Sequence, residues 1–459
     1  MKQQNNDLTQ GAILPILIRF SLPVLLALLL QAMYGAVDLL VVGQFASSAD
    51  VSAVATGSNV MMTLTNPLSS FAMGITVLLG YAIGQKKPEE AGRIIGAGIV
   101  LFAILSIVFA LILTIFTSPL ASMMQTPQEA YDKTVSYVRI CGAGVIAIIF
   151  YNLLGSVFRG IGDSRTPLIT VMIACVINIF ADLFLVAVCG LGAAGAAIAT
   201  VAAQCISVLL SLALISKREL PFTFRKEMIR FDGGLSLKIT KLGLPLAISS
   251  FLVGVSFMII QAIVNSLGLI PSAGIGVAEK VCNFVMLVPS AFMQAIAAFT
   301  AQNVGAGKEE RAEKALRDGI LLSLAAGAVM FYLAFFHGDL LCGIFSREPE
   351  VILAGADYLK SYAIDCLLTA VFFVFVGYFN GLGLTRFVMV QGMVGAFGVR
   401  VPVSFFMSRI RPVSLFKIGL ATPASSLVQI ILCLGCMFYT KKKQGVRKTG
   451  KAESDSYAE

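Results

Sequence analysis

Charge is what this chain has least of. Asp, Glu, Lys and Arg make up 13% of its 459 residues, where a soluble domain carries about 25%. Against that, 58% is hydrophobic and the mean hydropathy is +0.89. A soluble protein of this size has too little interior to hide so much apolar surface, so composition predicts a polytopic membrane protein. Histidine is nearly absent. His337 stands alone, which excludes histidine-based metal clusters and histidine proton relays. No phosphate loop is complete: "VGAGKEE" has Gln302 at the first glycine position and Glu309 in place of Ser or Thr, so no ATP site is expected. "GLGAAGAA" (190–197) spells G-x-G-x-x-G, yet it joins two apolar runs and no acid lies between Asp182 and Glu219. Tight helix turning and small-residue packing explain it. A disulfide framework is missing too, since most of the nine cysteines (Cys141, Cys175, Cys189, Cys205 and Cys366 among them) sit inside apolar runs, where the thiol is a small hydrophobe. Cys433-x-x-Cys436 has no second pair nearby and reads as packing. Without a catalytic constellation, the chain is expected to be no enzyme, to hold no cofactor and to have no structural metal.

What is present is a series of apolar runs. Twelve candidate helices fall near 17–42, 53–82, 94–116, 135–158, 166–189 and 193–215, then near 241–266, 273–303, 319–336, 354–380, 387–408 and 415–439. Each is long enough for a bilayer, which needs about 20 residues. The first is too long and contains a proline, so it reads as a retained membrane helix and not a signal peptide. The net charge of +9 sits in short clusters between runs, which argues for topology and against a nucleic-acid partner. With both termini on the cytoplasmic side, the inside segments hold 25 of the 34 Lys and Arg, Arg159 and Arg165 included. That satisfies the positive-inside rule, although Arg409, Arg411 and Lys417 fall on the other side.

The two halves repeat. Pro23 in "SLP" matches Pro245 in "GLP" and Pro67 matches Pro289, both at an offset of 222; "RGIGDSR" (159–165) matches "NGLGLTR" (380–386) at 221. "AIGQKKPEEA" likewise matches "NVGAGKEERA" at that offset. Six spans per half make this a parallel repeat about an axis along the membrane normal, and such halves commonly enclose a central substrate site. The expected organisation is an N-terminal six-helix lobe (1–215), a cytoplasmic linker (216–240), a C-terminal six-helix lobe (241–440) and a flexible basic, polar cytoplasmic tail (441–459).

Four acids fall within spans: Asp38, Asp182, Glu279 and Asp365. A charge at the bilayer centre costs roughly 2.5–3.5 kcal/mol even on lenient scales, which makes each a candidate functional group. Counted from their shared outer turns at about 1.5 Å per residue, Asp38, Asp182 and Thr200 lie at comparable depth. Asn178 is one helical turn before Asp182 on the same face, and Tyr34 and Gln31 share the face of Asp38. Two approaching carboxylates cannot both ionise cheaply, so the pair reads as a proton carrier, or as the core of a Na+ shell completed by Asn and Thr oxygens. A protonated Asp gluing helices together is the structural alternative. In the repeat, Asp38 maps to Ile260, Asn178 to Arg400 and Asp182 to Ser404, so only the first half carries the cluster. Asp365 and Arg400 lie at equal depth about the inner turn near 383 and are expected to form an interhelical ion pair. Glu279, next to Lys280, is expected in a shallow, partly wet position.

"AVDLLVVG" in span one, "RGIGDSRTP" after span four, "NIFADLF" in span five and the 6+6 halves together resemble the multidrug and toxic compound extrusion (MATE) family of secondary antiporters. The likeness covers essentially the whole chain to about residue 440. The resemblance implies an all-α fold of two pseudo-symmetric six-helix bundles, V-shaped around a central cavity. It also implies cation-coupled efflux of bulky, often cationic drugs from the inner membrane, with H+ or Na+ as the coupling ion. Proton-linked bacterial members imply a network of Asp38, Asn152, Asn178, Asp182 and Thr200. The span-seven acid of some sodium-linked members is missing from "SFMIIQAIVNSLG". Gln31, Tyr34, Gln261, Asp365 and Arg400 are candidates for the substrate cavity, and a monomer in the lipid bilayer is expected. The rival within transport is a flippase for a lipid-linked precursor, which would line its cavity with several basic residues.

Overall fold

The computed structural model describes residues 7–217 and 220–456. Lys2 and Arg218, two of the topology markers, and residues 457–459 of the tail lie outside them. Among the described residues the chain is helical without strands. Eleven helices are long and apolar enough to cross a bilayer, and the pair Gln128–Ala143 and Val145–Gly160, bent by 52°, makes a twelfth. They coincide with the twelve predicted runs and extend most of them by a turn or more, span one being Ile13–Phe45, while span five (Arg165–Val188) and span six (Gly192–Ser216) agree to within a residue.

Local chemistry explains the joints. Span two begins at a capping box, with the Ser47 side chain accepting from the Asp50 amide and Asp50 accepting from the Ser47 amide, which satisfies two orphan N–H groups. The bend in span four falls at Gly144. A Cβ there would stand 2.3 Å from Val201 Cγ1 of span six, so the missing side chain lets the two helices touch. The G-x-G-x-x-G stretch is the turn between spans five and six: Gly190 and Gly192 take φ of 68° and 52°, a region open to glycine at no steric cost.

Contacts divide the chain into two compact units: Met1–Gly254 with Met286–Leu321 and Val376–Val388, and Val255–Val285 with Leu322–Phe375 and Met389–Glu459. The division therefore does not run through the linker. Within the first unit, spans two and eight meet through a reciprocal pair of glycines. A Cβ on Gly84 would lie 2.1 Å from the Gln302 carbonyl oxygen, and one on Gly305 would lie 2.5 Å from that of Tyr81. These are the same positions one repeat apart (84 and 305, 81 and 302), which is the contact a two-fold repeat makes at its axis. Tyr81 Oη also donates to the Gly381 carbonyl at 2.8 Å.

The linker is shorter than the polar stretch suggested, because span seven starts at Gly233. Residues ahead of it dock on span three: Thr223 N donates to Pro88 O at 3.1 Å, and a Cβ on Gly92 or Gly96 would collide with the Thr223 or Met228 carbonyl. Asp232 accepts from the Leu235 amide and from Arg93, which together hold its carboxyl below the usual range. The last helix runs Ala421–Ser456.

Gly84→Ala is expected to force spans two and eight apart and to cost about 1–3 kcal/mol. It should be read as a lower thermal midpoint of the detergent-purified protein, and an unchanged midpoint would refute the close crossing.

Candidate functional site

Span one carries Asp38 to a position where its side chain is 3% exposed. Its Oδ2 accepts from Thr200 Oγ1 of span six at 3.0 Å. Asn178 and Asp182, one turn apart on span five and both fully buried, lie beside the same carboxyl. Depth counting had put these residues level, and the hydrogen bond from Thr200 ties two of the helices together there. The rest of the cluster is unsatisfied. Asp38 Oδ1, both carboxylate oxygens of Asp182 and both amide atoms of Asn178 are buried without a hydrogen-bond partner among the described residues. A buried polar atom left so costs about 1–3 kcal/mol, and such atoms in a native fold call for an explanation. A shared proton, or a cation taking oxygens from both carboxylates and Asn178, would supply it. Directly after Asp182 the helix widens into π turns, Leu183–Val188, a distortion frequent at functional sites.

Toward the other end of span one, a cavity of about 60 Å³ opens among Gln31, Tyr151, Asn152, Arg159, Thr170 and Gln294, with apolar neighbours. Gln31 Nε2 donates to Tyr151 Oη. Asn152, expected beside Asp38, spends its amide on the Ile148 carbonyl of its own helix at 2.9 Å and lines this cavity. Tyr34 is buried between cavity and cluster, packed on Val171, Ala174, Cys175 and Ala203.

In the second unit the expected Asp365–Arg400 ion pair does not close. Asp365 Oδ2 accepts from Thr369 Oγ1 at 2.9 Å. Arg400, 6% exposed, donates from Nη1 to Ser256 Oγ at 3.3 Å and lies 4.5 Å over the Phe257 ring. The reason is a second run of π turns, Val394–Arg400. Equal depth was counted for a regular α-helix, and the wider turns change the direction in which Arg400 faces. Gln261 engages Asn265 on its own helix at 2.8 Å. Glu279 is half-buried, and Lys280 is exposed, 5.8 Å over Phe345.

One functional candidate escaped the sequence reading. Arg159 counted as a topology charge, but it belongs to the last turn of span four and lines the cavity. Its guanidinium folds back over Gly155, where a Cβ would stand 3.2 Å from Nη1. The available signal was the spacing: a glycine four residues before a terminal arginine leaves room for the side chain to turn inward.

Comparison with known proteins is consistent across three kinds of match. The MatE family model matches residues 23–184 and again 245–406, an offset of 222. Probable multidrug resistance protein YoeA of Bacillus subtilis is 27% identical over 436 residues, covering 93% of this chain and 94% of that protein. Probable multidrug resistance protein NorM of Thermotoga maritima is 25% identical over 409 residues, covering 88% and 86%. Among solved structures, a MOP superfamily transporter from Pyrococcus furiosus superposes with a TM-score of 0.89 at 18% identity, over 96% of this chain and 98% of that one.

Thr200→Val keeps the shape and removes the donor to Asp38, and is expected to destabilise the protein by about 1–3 kcal/mol. Thr200→Ser should stay near wild type. Thermal midpoints of the two purified variants check this, and equal midpoints would mean that the hydroxyl contributes nothing.

Proposed function

The chain belongs to the MatE family, and on that premise we propose that it is a cation-coupled multidrug efflux antiporter of the inner membrane. In this reading it works as a monomer with both termini cytoplasmic. The observation that carries the reading is the buried cluster of Asp38, Asp182, Asn178 and Thr200, with five polar atoms left without hydrogen-bond partners among the described residues. A cation, H+ or Na+, binds there from the outside and relieves the cost of two adjacent carboxylates in a low-dielectric setting. The proton is favoured, since one proton neutralises a carboxylate without needing a full oxygen shell.

Coupling follows from differential affinity. An ion that stabilises one state of the carrier and a drug that stabilises the other exchange through a shared equilibrium. The energy is adequate without ATP. One cation moving down 100 mV releases about 2.3 kcal/mol, enough to hold roughly a 40-fold gradient of a neutral drug. A monocationic drug exchanged one for one moves no net charge, so its export would rest on the ion's concentration gradient alone. The flippase alternative is not favoured, because the cavity beside span one is lined by one basic side chain, Arg159.

In proteoliposomes with an imposed proton or sodium gradient, Asp38→Asn and Asp182→Asn are each expected to cut gradient-driven drug transport more than tenfold. Drug binding in detergent should stay within a few-fold of wild type. If both variants keep transport, the coupling role is wrong, and transport that collapses with the pH gradient in the absence of sodium identifies the ion as H+.

A further inference from the structure

The segment ahead of span seven carries charge that the efflux reading leaves unused. From Lys217 to Lys241 the chain has seven basic residues and three acidic ones. Arg225, Lys226 and Arg230 are exposed and make no ion pair among the described residues. Of the nearby acids, Asp232 is taken by Arg93 and Glu90 by Lys87, while Glu89 and Glu227 are exposed. Apolar side chains are interleaved with the cations: Phe224, Ile229 and Phe231 are exposed too. The backbone beneath them is fixed. Phe222 is buried in the core of the first unit with Leu235 and Ile239. Thr223 N donates to Pro88 O, and a Cβ on Gly96 would stand 2.0 Å from the Met228 carbonyl oxygen. Span three, Pro88–Ile115, has 28 residues. That is about 42 Å of helix against about 30 Å of hydrocarbon, so its first turns stand in the headgroup layer. Gly96 is about 12 Å along this helix from Pro88. The segment therefore runs down the side of span three to the boundary between headgroups and acyl chains.

We propose that the face from Phe224 to Phe231 is a binding surface for acidic phospholipid headgroups. Arg225, Lys226 and Arg230 meet the phosphates, and Phe224, Ile229 and Phe231 enter the upper acyl region. Arginine forks suit phosphate, and an anionic leaflet attracts juxtamembrane cations in this number. Apolar side chains beside cations are what an element lying in the interface needs. The positive-inside rule asks only for a count of cations; it accounts neither for the apolar side chains between them nor for the docking on span three. With the termini cytoplasmic the surface meets the inner leaflet. It lies apart from the buried carboxylates, so it holds whichever ion or drug the carrier takes.

The chain has no tryptophan, so Phe231→Trp supplies a single fluorescent reporter in the full-length protein. The protein is reconstituted into vesicles of phosphatidylcholine with a minor share of phosphatidylglycerol. Two preparations of identical composition differ only in whether the phosphatidylglycerol, or an equal amount of phosphatidylcholine, carries bromine near the top of its acyl chains. Brominated phosphatidylglycerol is expected to quench the reporter at least about threefold more strongly. Replacing Arg225, Lys226 and Arg230 by Gln should make the two lipids quench equally. Ile107→Trp, at an exposed position within span three, should be quenched equally by both lipids with and without the three replacements, which shows that the variant is folded and inserted. Three results overturn the proposal: equal quenching of Phe231→Trp when the cations are present, a phosphatidylglycerol preference that survives their removal, or quenching of Ile107→Trp alone. The last would put the face in water, open to a soluble partner. Symmetric vesicles make the outcome independent of orientation and of transport.

Discussion

The cost of holding charge away from water governs this molecule. Where the chain can close an ion pair it does so at the ends of spans: Lys133 Nζ reaches Asp50 Oδ2 at 2.6 Å beside the turn from span five to span six, whose Ala193 amide also donates to Asp50. Deeper in the spans the pairs do not close. Among the described residues, Asp38 has a threonine hydroxyl, Asp182 has no hydrogen-bond donor, and Arg400 has a serine and an aromatic ring. In hydrocarbon no solvent makes up the difference. Incomplete satisfaction at such depth suits a carrier better than a static core, because a fully satisfied polar network gains nothing from binding an ion.

The scaffold around these charges is built from small residues and from repetition. Gly84 and Gly305 allow spans two and eight to touch at backbone distance, a crossing that serves membrane helices in place of a hydrophobic driving force. Symmetry in the scaffold coexists with asymmetry in the chemistry. The repeat puts Ile260, Arg400 and Ser404 where the first half has Asp38, Asn178 and Asp182, and the π turns fall at different places in the two halves, after Asp182 in one and up to Arg400 in the other. The first half thus gathers two acids at one depth, whereas in the second Asp365 and Arg400 form no ion pair among the described residues.

Much of this was legible in the sequence because the bilayer imposes simple rules. Apolar runs of fixed minimum length located all twelve spans, and matching prolines and glycines located the repeat. Depth counting brought Asp38 level with Thr200, whose helices are regular, and with Asp182, although the π turns Leu183–Val188 stand between Asp182 and its outer turn. The same arithmetic failed for Asp365 and Arg400, where the wide turns of Val394–Arg400 intervene. The family resemblance implied Asn152 in a network with the acids, whereas its amide is taken by its own backbone. Arg159 was misjudged for another reason: a count of charges by segment records which side of the membrane a residue is nearest, not which way its side chain turns.

Sequence alone determined the class of molecule, the spans, the duplication and the identity of the acids in the first half, since each follows from hydropathy, spacing or covalent order. Tertiary structure decided which polar groups share a pocket and which lack partners. It also decided that the contacts of the folded chain do not divide at the linker. The physical reason is that burial and hydrogen bonding depend on the direction of side chains across helices distant in sequence, and one π turn or one missing Cβ is enough to change that direction.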